Sequence, residues 1–210
     1  MGETRMSRAG QGDRPDVLGL MLAAGQGLRF DPTGRRDKLM QALPDGRIIL
    51  HAACMNALRH VDALQVICTP ARQAAAALLL QDLPVQVLAC PEAGAGMGAT
   101  LKHGVRDSDP RIGWLVLLGD MPDVEEDIIA AVTGALRAGA SIARPAHAGQ
   151  AGHPVGFSAA WRADLLALDD ERGAGALLRR EQARIAWVDA PRDGVLRDID
   201  HPGDLGPART

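Results

Sequence analysis

Tyrosine is absent from this 210-residue sequence, and two phenylalanines and three tryptophans are its only other large aromatics. Proteins that stack the bases of single-stranded nucleic acid need rows of aromatic platforms, so the composition argues against that activity. Neither sign of charge is in excess: 23 Lys and Arg stand against 26 Asp and Glu, a formal net charge of −3. Such a balance carries no electrostatic footprint for nucleic acid or for an anionic membrane surface. No apolar run reaches the ~20 residues that a membrane-spanning helix requires. The cysteines, Cys54, Cys68 and Cys90, are odd in number and far apart. Their spacing fits neither a zinc motif nor a disulfide framework, and each lies in an apolar context. They are expected to be small buried hydrophobes in a reducing, cytoplasmic protein.

What is present is a 47% hydrophobic chain whose core must be built from Ala, Leu, Val and Ile. Its length suffices for one sizeable core. Residues 1–16 are polar, contain Gly and Arg, and lack an apolar h-region, so they are expected to be a flexible leader rather than a signal peptide. Residues 17–205 are expected to form one domain, with 206–210 as a tail.

Short apolar runs alternate with stretches of helical spacing. Strands are expected at Val17–Leu22, Leu64–Cys68, Val85–Cys90, Trp114–Leu118, from Ser141, and at Ile185–Val188. Helices are expected at Ile48–Val61, Ala71–Leu80, from about Ala99, at Val124–Ala138, Trp161–Leu168 and Gly173–Arg180. This rhythm predicts an α/β fold, a doubly wound and mostly parallel sheet with helices on both faces. Residues 146–157, rich in Gly and containing Pro154, predict a small β excursion over the sheet's edge.

In open α/β sheets ligands bind beyond the carboxyl ends of the strands. After the first strand comes Leu22-Ala23-Ala24-Gly25-Gln26-Gly27-Leu28-Arg29-Phe30. Small residues there let backbone N–H groups approach a phosphate, and Arg29 and Lys38 add positive charge. Two familiar glycine loops are excluded. The Gly-Lys-Ser/Thr of a Walker A loop is missing, and a dinucleotide fingerprint would need glycine where Phe30 stands and an acid where Thr69-Pro70 ends the second strand. A structural turn is the competing explanation for the segment.

After the fourth strand, Gly119 and Asp120 sit where a ligand can approach closely. Near the other end of the chain, Asp198 and Asp200 would face one side of an extended segment. Asp120 and Asp200 suit Mg²⁺, which takes one or two protein carboxylates and keeps several waters. A turn aspartate and a helix cap are the ordinary alternatives.

Taken together, Leu22-Ala23-Ala24-Gly25 with Arg29-Phe30, Lys38-Leu39, Gly119-Asp120-Met121-Pro122, Gly152-His153-Pro154 and Asp198-Ile199-Asp200-His201-Pro202 resemble the MobA-like NTP transferases. The likeness spans about Val17 to Leu205. It is strongest to the molybdenum cofactor cytidylyltransferase branch, which has stretches similar to Gly96–Lys102 and Arg172–Leu178. The resemblance implies a nucleotide-diphospho-sugar transferase-like fold in which Leu22, Ala23, Ala24, Gly25, Gly27, Arg29, Lys38 and Gly119 hold the nucleotide. Arg29, Lys38 and Asp120 would then be catalytic, Asp120 and Asp200 would bind Mg²⁺, and Met97, Lys102 and His153 would contact the acceptor. A solvated helix face is the alternative for Lys102, and a turn residue for His153.

The Ala-Ala-Gly form is similar to the CTP users, implying transfer of CMP to a small phosphorylated acceptor such as molybdopterin, with a molybdoenzyme as maturation partner. The chain departs from the family in a longer stretch between Phe30 and Lys38, which leaves Arg35 and Arg36 as alternatives to Lys38. His201 also stands where threonine is commoner, and Gly98-Ala99-Thr100 where serines are. Rival readings are a sister enzyme using another NTP or acceptor such as a sugar phosphate, a non-catalytic nucleotide-binding protein, and a nicotinamide-dependent oxidoreductase.

Overall fold

The computed structural model describes residues 15–206, so the expected leader and tail lie almost wholly outside the described residues. Its strands are β1 (Val17–Ala23), β2 (Ala63–Cys68), β3 (Val85–Ala89), β4 (Gly113–Leu118), β5 (Ile142–His147), β6 (Gln150–Ala151), β7 (Val155–Ser158) and β8 (Ile185–Asp189). The helices are α1 (Ile49–Leu58), α2 (Pro70–Leu79), α3 (Met97–Arg106), α4 (Glu126–Arg137), α5 (Arg162–Leu166) and α6 (Gly175–Arg180). The eight strands form one sheet in the order β3-β2-β1-β4-β7-β5, with β6 and β8 also paired to β5. β1 pairs in parallel with β2 and β4, β2 with β3, and β5 with β8.

The sheet is covered on both faces, and the strands show it residue by residue. In β1, Val17, Met21 and Ala23 pack into one cluster with Ile49 and Leu50 of α1 and Ile128 and Val132 of α4. Leu18, Leu20 and Leu22 pack into the other, with Leu101 and Val105 of α3, Leu165 of α5 and Leu178 of α6. This is the two-residue alternation of a strand buried on both sides, and it makes β1 a continuous apolar run.

The region 146–157 forms the expected small β excursion but in a different place. It does not lie over the edge; β7 runs antiparallel inside the sheet, between β4 and β5. β6 pairs with Ala146 and His147 on the side of β5 away from β8, so β5 and the β6–β7 segment form one long hairpin. It turns at Ala148 and Gly149, both at positive φ. Val155 and Phe157 are almost fully buried. Locally, three glycines and a proline mask the five apolar residues of the segment; strand pairing on both sides of β7 decides its place.

The chain order places β2 and β3 on one side of β1 and β4 on the other, so β1 and β4 meet at the switch point of the winding. Loops leaving their carboxyl ends diverge and open a crevice there.

Candidate active site

A cavity of about 450 Å³ occupies this crevice. Leu22, Ala24, Gly25, Gln26 and Arg29 line it from β1 and its loop, and Leu118 and Asp120 from β4. Ala93, Gly94 and Gly96 line it from the segment after β3, Met97 and Thr100 from α3, and Asp198 and Asp200 from the C-terminal segment. That last segment is held by backbone hydrogen bonds: Ile199 N–H donates to Asp120 O at 2.9 Å, and Asp200 and His201 N–H both donate to Asp204 Oδ2.

The charged groups converge here from distant parts of the chain. Lys38 Nζ lies 2.8 Å from Asp120 Oδ2 and 3.1 Å from Asp200 Oδ1, and Arg29 Nη1 lies 2.5 Å from Asp200 Oδ2. Carboxylate oxygens of Asp120, Asp198 and Asp200 all fall within 4.8 Å of one another. Three such groups repel unless a cation stands among them, and the Lys38 ammonium does. Burial opposes the charge on Lys38, but hydrogen bonds and attraction from Asp120 and Asp200 outweigh it and raise its pKa. For Asp200, burial works against the anion, yet Lys38 and Arg29 prevail and lower its pKa. For Asp198, burial and the charge of Asp200 outweigh the weaker attraction of Lys38 and raise its pKa.

The loop after β1 is latched from behind. Arg72, at the start of α2 and 9% exposed in its side chain, donates to Ala23 O and, at 3.0 Å, to Gly25 O. Its Nε also lies 2.6 Å from Asp37 Oδ2. Asp37 in turn caps the 3-10 turn Lys38–Met40 by accepting from Leu39 N–H. One guanidinium therefore fixes both the glycine loop and the turn that carries Lys38. Gly27 adopts φ +64, with Phe30 and Asp31 N–H donating to its carbonyl. A Cβ there would sit in strained backbone and press on Lys38 Cβ at 3.3 Å.

A second cavity, of about 390 Å³, adjoins the first through Leu22 and Met97. Its floor is apolar: Leu101, Val116, Val155, Phe157, Leu178 and Ile185. Its polar lining is Arg144, Arg172, Arg179, His153 and Gln182, with Trp187 beside them. No Asp or Glu lines it among the described residues. Arg144 Nε and Nη2 donate to the carbonyls of Gly152 and Ala151. His153 Nδ1 is sealed from solvent without a hydrogen-bond partner. Burial, reinforced by the charge of Arg144, pushes the His153 pKa down to about 4, so it is neutral near pH 7.

Met97 reaches both cavities because α3 starts hard against the loop before α6. A Cβ on Gly98 would lie 1.9 Å from Asp169 O, and one on Gly96, at φ +132, 2.6 Å from Asp170 O. Glycine at both positions lets the two backbones touch, and Ala99 N–H donates to Asp170 O at 3.1 Å.

Of the residues singled out in the sequence, Leu22, Ala24, Gly25, Arg29, Asp120 and Asp200 line the crevice, and Lys38 reaches its carboxylates. Ala23, Gly27 and Gly119 do not line it; they shape it from behind, Gly119 by donating to Leu22 O at 2.9 Å. Met97 and His153 line the second cavity. Lys102 lines neither: its ammonium donates to Leu168 O at 2.9 Å and pairs with Asp170, on the α5–α6 side of α3. Arg36 sits over the Phe30 ring and near Asp31, so Lys38, not Arg36, faces the cluster. Asp198 as a third carboxylate, Arg72 as a latch, and Arg144, Arg172, Arg179 and Trp187 as cavity lining were missed. The sequence holds a signal for Asp198, its two-residue spacing from Asp200, and for Arg172, which opens a family-like stretch, but none for the others.

No curated protein matches the chain. Among solved structures, Rv0371c from Mycobacterium tuberculosis H37Rv superposes with a TM-score of 0.76 at 22% identity, covering 90% of this chain and 95% of its own. Rv0371c has also been solved in complex with manganese. A 4-diphosphocytidyl-2C-methyl-D-erythritol synthase from Anaerococcus prevotii has a TM-score of 0.71 at 14% identity, covering 90% and 92%. Molybdopterin-guanine dinucleotide biosynthesis protein A from Archaeoglobus fulgidus has 0.62 at 16%, covering 90% and 94%. At these identities the likeness establishes the fold. Residues 19–185 match the MobA-like NTP transferase domain, and with most of its length so matched the chain belongs to that family of nucleotidyltransferases.

Proposed function

We propose that the chain transfers CMP from CTP to a small phosphorylated acceptor of the molybdopterin type, releasing pyrophosphate. The observation that carries this reading is the meeting of Asp120, Asp198 and Asp200 with Lys38 and Arg29 at the mouth of the glycine loop. Residues about 80 and 160 positions apart reach one cluster beside a cavity of nucleotide size; the ligand-pocket range is about 300–1,000 Å³.

The donor set fits a hard divalent cation. Carboxylate oxygens are what Mg²⁺ or Mn²⁺ prefers, and an ammonium already stands between two of them. Asp120 and Asp200, with Asp198 beside them, would hold Mg²⁺. When bound, the cation supplies Lewis-acid neutralisation of triphosphate charge.

The backbone after β1 receives the triphosphate, with Gly25 allowing close approach. An acceptor phosphate oxygen forms the new bond to the α-phosphorus while the bond to the β-phosphate oxygen breaks. Acceptor phosphates are ionised at neutral pH, so the chain need supply no strong base and works by positioning and charge neutralisation. Lys38 and Arg29 stabilise the departing pyrophosphate. The acceptor occupies the second cavity, its anionic groups meeting Arg144, Arg172 and Arg179 and its body lying on the apolar floor, with Met97 and His153 beside it. Lys102 has no part in this. Three free thiols among the described residues, each drawn above its usual pKa by burial, accord with a reducing cytoplasm. A molybdoenzyme would be the partner that receives the product.

The test is pyrophosphate release with CTP, GTP or ATP, with and without Mg²⁺, in the presence of molybdopterin or a sugar phosphate. Transfer requiring CTP, Mg²⁺ and molybdopterin supports the reading. Preference for GTP, or for a sugar phosphate, replaces its nucleotide or its acceptor; no turnover with any pair sinks it.

A further inference from the structure

We propose that Cys90 Sγ, the Glu92 carboxylate and His103 Nδ1 form a binding site for one divalent cation of the zinc class, separate from the carboxylate cluster of the crevice. Cys90 follows β3 directly and is fixed by its N–H, which donates to Cys68 O at 2.8 Å across the sheet. Glu92 lies two residues on, in the 3-10 turn Pro91–Ala95, and His103 projects from the middle of α3. Glu92 Oε2 is 3.7 Å from Cys90 Sγ and 3.9 Å from His103 Nδ1, and the three donor atoms lie within 4.8 Å of one another.

Zinc with its thiolate at ~2.3 Å and imidazole at ~2.0 Å sets tetrahedral ligands about 3.5 Å apart. The observed separations exceed this by a few tenths of an ångström for the two pairs that involve Glu92. Its side chain is 58% exposed and free to adjust. The donor set is sulfur, nitrogen and oxygen, which zinc accepts and magnesium does not favour. Three protein ligands leave a fourth position for water.

Two features of His103 point the same way. Its Nδ1 is shielded from solvent and has no hydrogen-bond partner, an arrangement that leaves a buried polar atom uncompensated unless something binds it. Its other nitrogen, Nε2, faces Asp107 Oδ2 at 3.8 Å. Zinc-binding histidines characteristically present their second nitrogen to a carboxylate, which fixes the tautomer and turns the other nitrogen's lone pair to the metal. On loading, the Cys90 thiol would give its proton to solvent as sulfur binds the cation.

Such a cation would join the 3-10 turn to α3. Ala93 and Gly94 of the first and Met97 and Thr100 of the second line the nucleotide crevice, so occupancy would stiffen one wall of it. The inference does not rest on the identity of the nucleotide or the acceptor.

Titration of the chelator-treated full-length protein with Co²⁺ tests it, because only a thiolate ligand gives a near-ultraviolet sulfur-to-cobalt charge-transfer band. The expected result is such a band saturating at one equivalent and displaced by Zn²⁺. It should be lost in Cys90→Ser and kept in both Cys68→Ser and Asp200→Asn. Glu92→Gln, at an exposed position that spares the fold, should weaken Co²⁺ binding about 100-fold. Asp107→Asn should weaken it about 10-fold or more, the range for an outer-shell carboxylate. Absence of the band from the wild type, its survival in Cys90→Ser, or unchanged affinity in Glu92→Gln would overturn the site.

Discussion

The two cavities share Leu22 and Met97 yet are built on opposite electrostatic plans. In the crevice beyond β1 and β4 most of the charge is answered within the protein: Lys38 pairs with Asp120 and Asp200, and Asp200 again with Arg29, leaving Asp198 without an ion pair among the described residues. In the second cavity three arginines line an apolar floor with no carboxylate among the described lining residues. A self-neutralised cluster can exchange its internal cation for a metal and a polyphosphate without stranding charge. Arginines that no carboxylate of the lining answers would suit an anion from outside. The contrast separates the half that would perform transfer from the half that would choose the acceptor.

Five sets of variants sharpen or break that contrast. The largest effect is expected from Asp120→Ala, which removes a carboxylate from the reacting end of the crevice. Pyrophosphate release should fall on the order of 100-fold or more, comparable to loss of a transition-state donor. Wild-type turnover would remove Asp120 from the machinery. Lys38→Met should lower turnover by about the same order. With its resident ammonium gone, the cluster should bind Mn²⁺ more tightly, seen as a larger metal-induced rise in melting temperature. A smaller rise would mean that Lys38 helps to hold the metal rather than to stand in for it.

Arg72→Lys preserves charge but cannot make the forked contacts to Ala23 O, Gly25 O and Asp37. The expected loss is about tenfold in nucleotide affinity by calorimetry, the scale of one hydrogen bond to a charged group. In the other cavity, Arg172→Gln and Arg179→Gln should each raise the acceptor KM about tenfold while the nucleotide KM stays put. An equal rise in both constants would erase the division of labour.

The smallest effect concerns pH. His153 has its pKa pushed down to about 4 in the folded chain, against an ordinary 6.5. Between those values the unfolded chain takes up a proton that the folded chain does not, so stability falls as pH drops through that window. Urea unfolding at several pH values should show a shallower acid decline in His153→Gln. An unchanged slope would show that other groups govern it.

Much of the crevice was legible because its signals are local. An apolar strand followed by Ala24-Gly25, and another followed by Gly119-Asp120, announce themselves over a few residues, and alternation of strands with helices gives the layer order. The second cavity was not legible in the same way. Arg144 is on a strand, Arg172 in a loop, Arg179 on a short helix and Trp187 on the last strand, with no spacing to join them. Lys102 matched a family stretch yet turns to Leu168 and Asp170, because its place on α3 puts it beyond the cavity. Cys90 failed every sequence test for a metal site, since its neighbour His103 comes from the next helix and motif spacing records only what one loop can bring together.

The sequence by itself determined the alternation of buried strands and helices, and with it a crevice past the ends of β1 and β4, because hydrophobic periodicity and glycine turns act over a few residues. Only the tertiary structure decided that residues 146–158 enter the sheet instead of covering its edge, that Asp198 joins Asp120 and Asp200, and that three arginines surround one apolar floor. These depend on contacts between segments tens to more than a hundred residues apart, whose geometry is fixed by how the whole sheet pairs and packs.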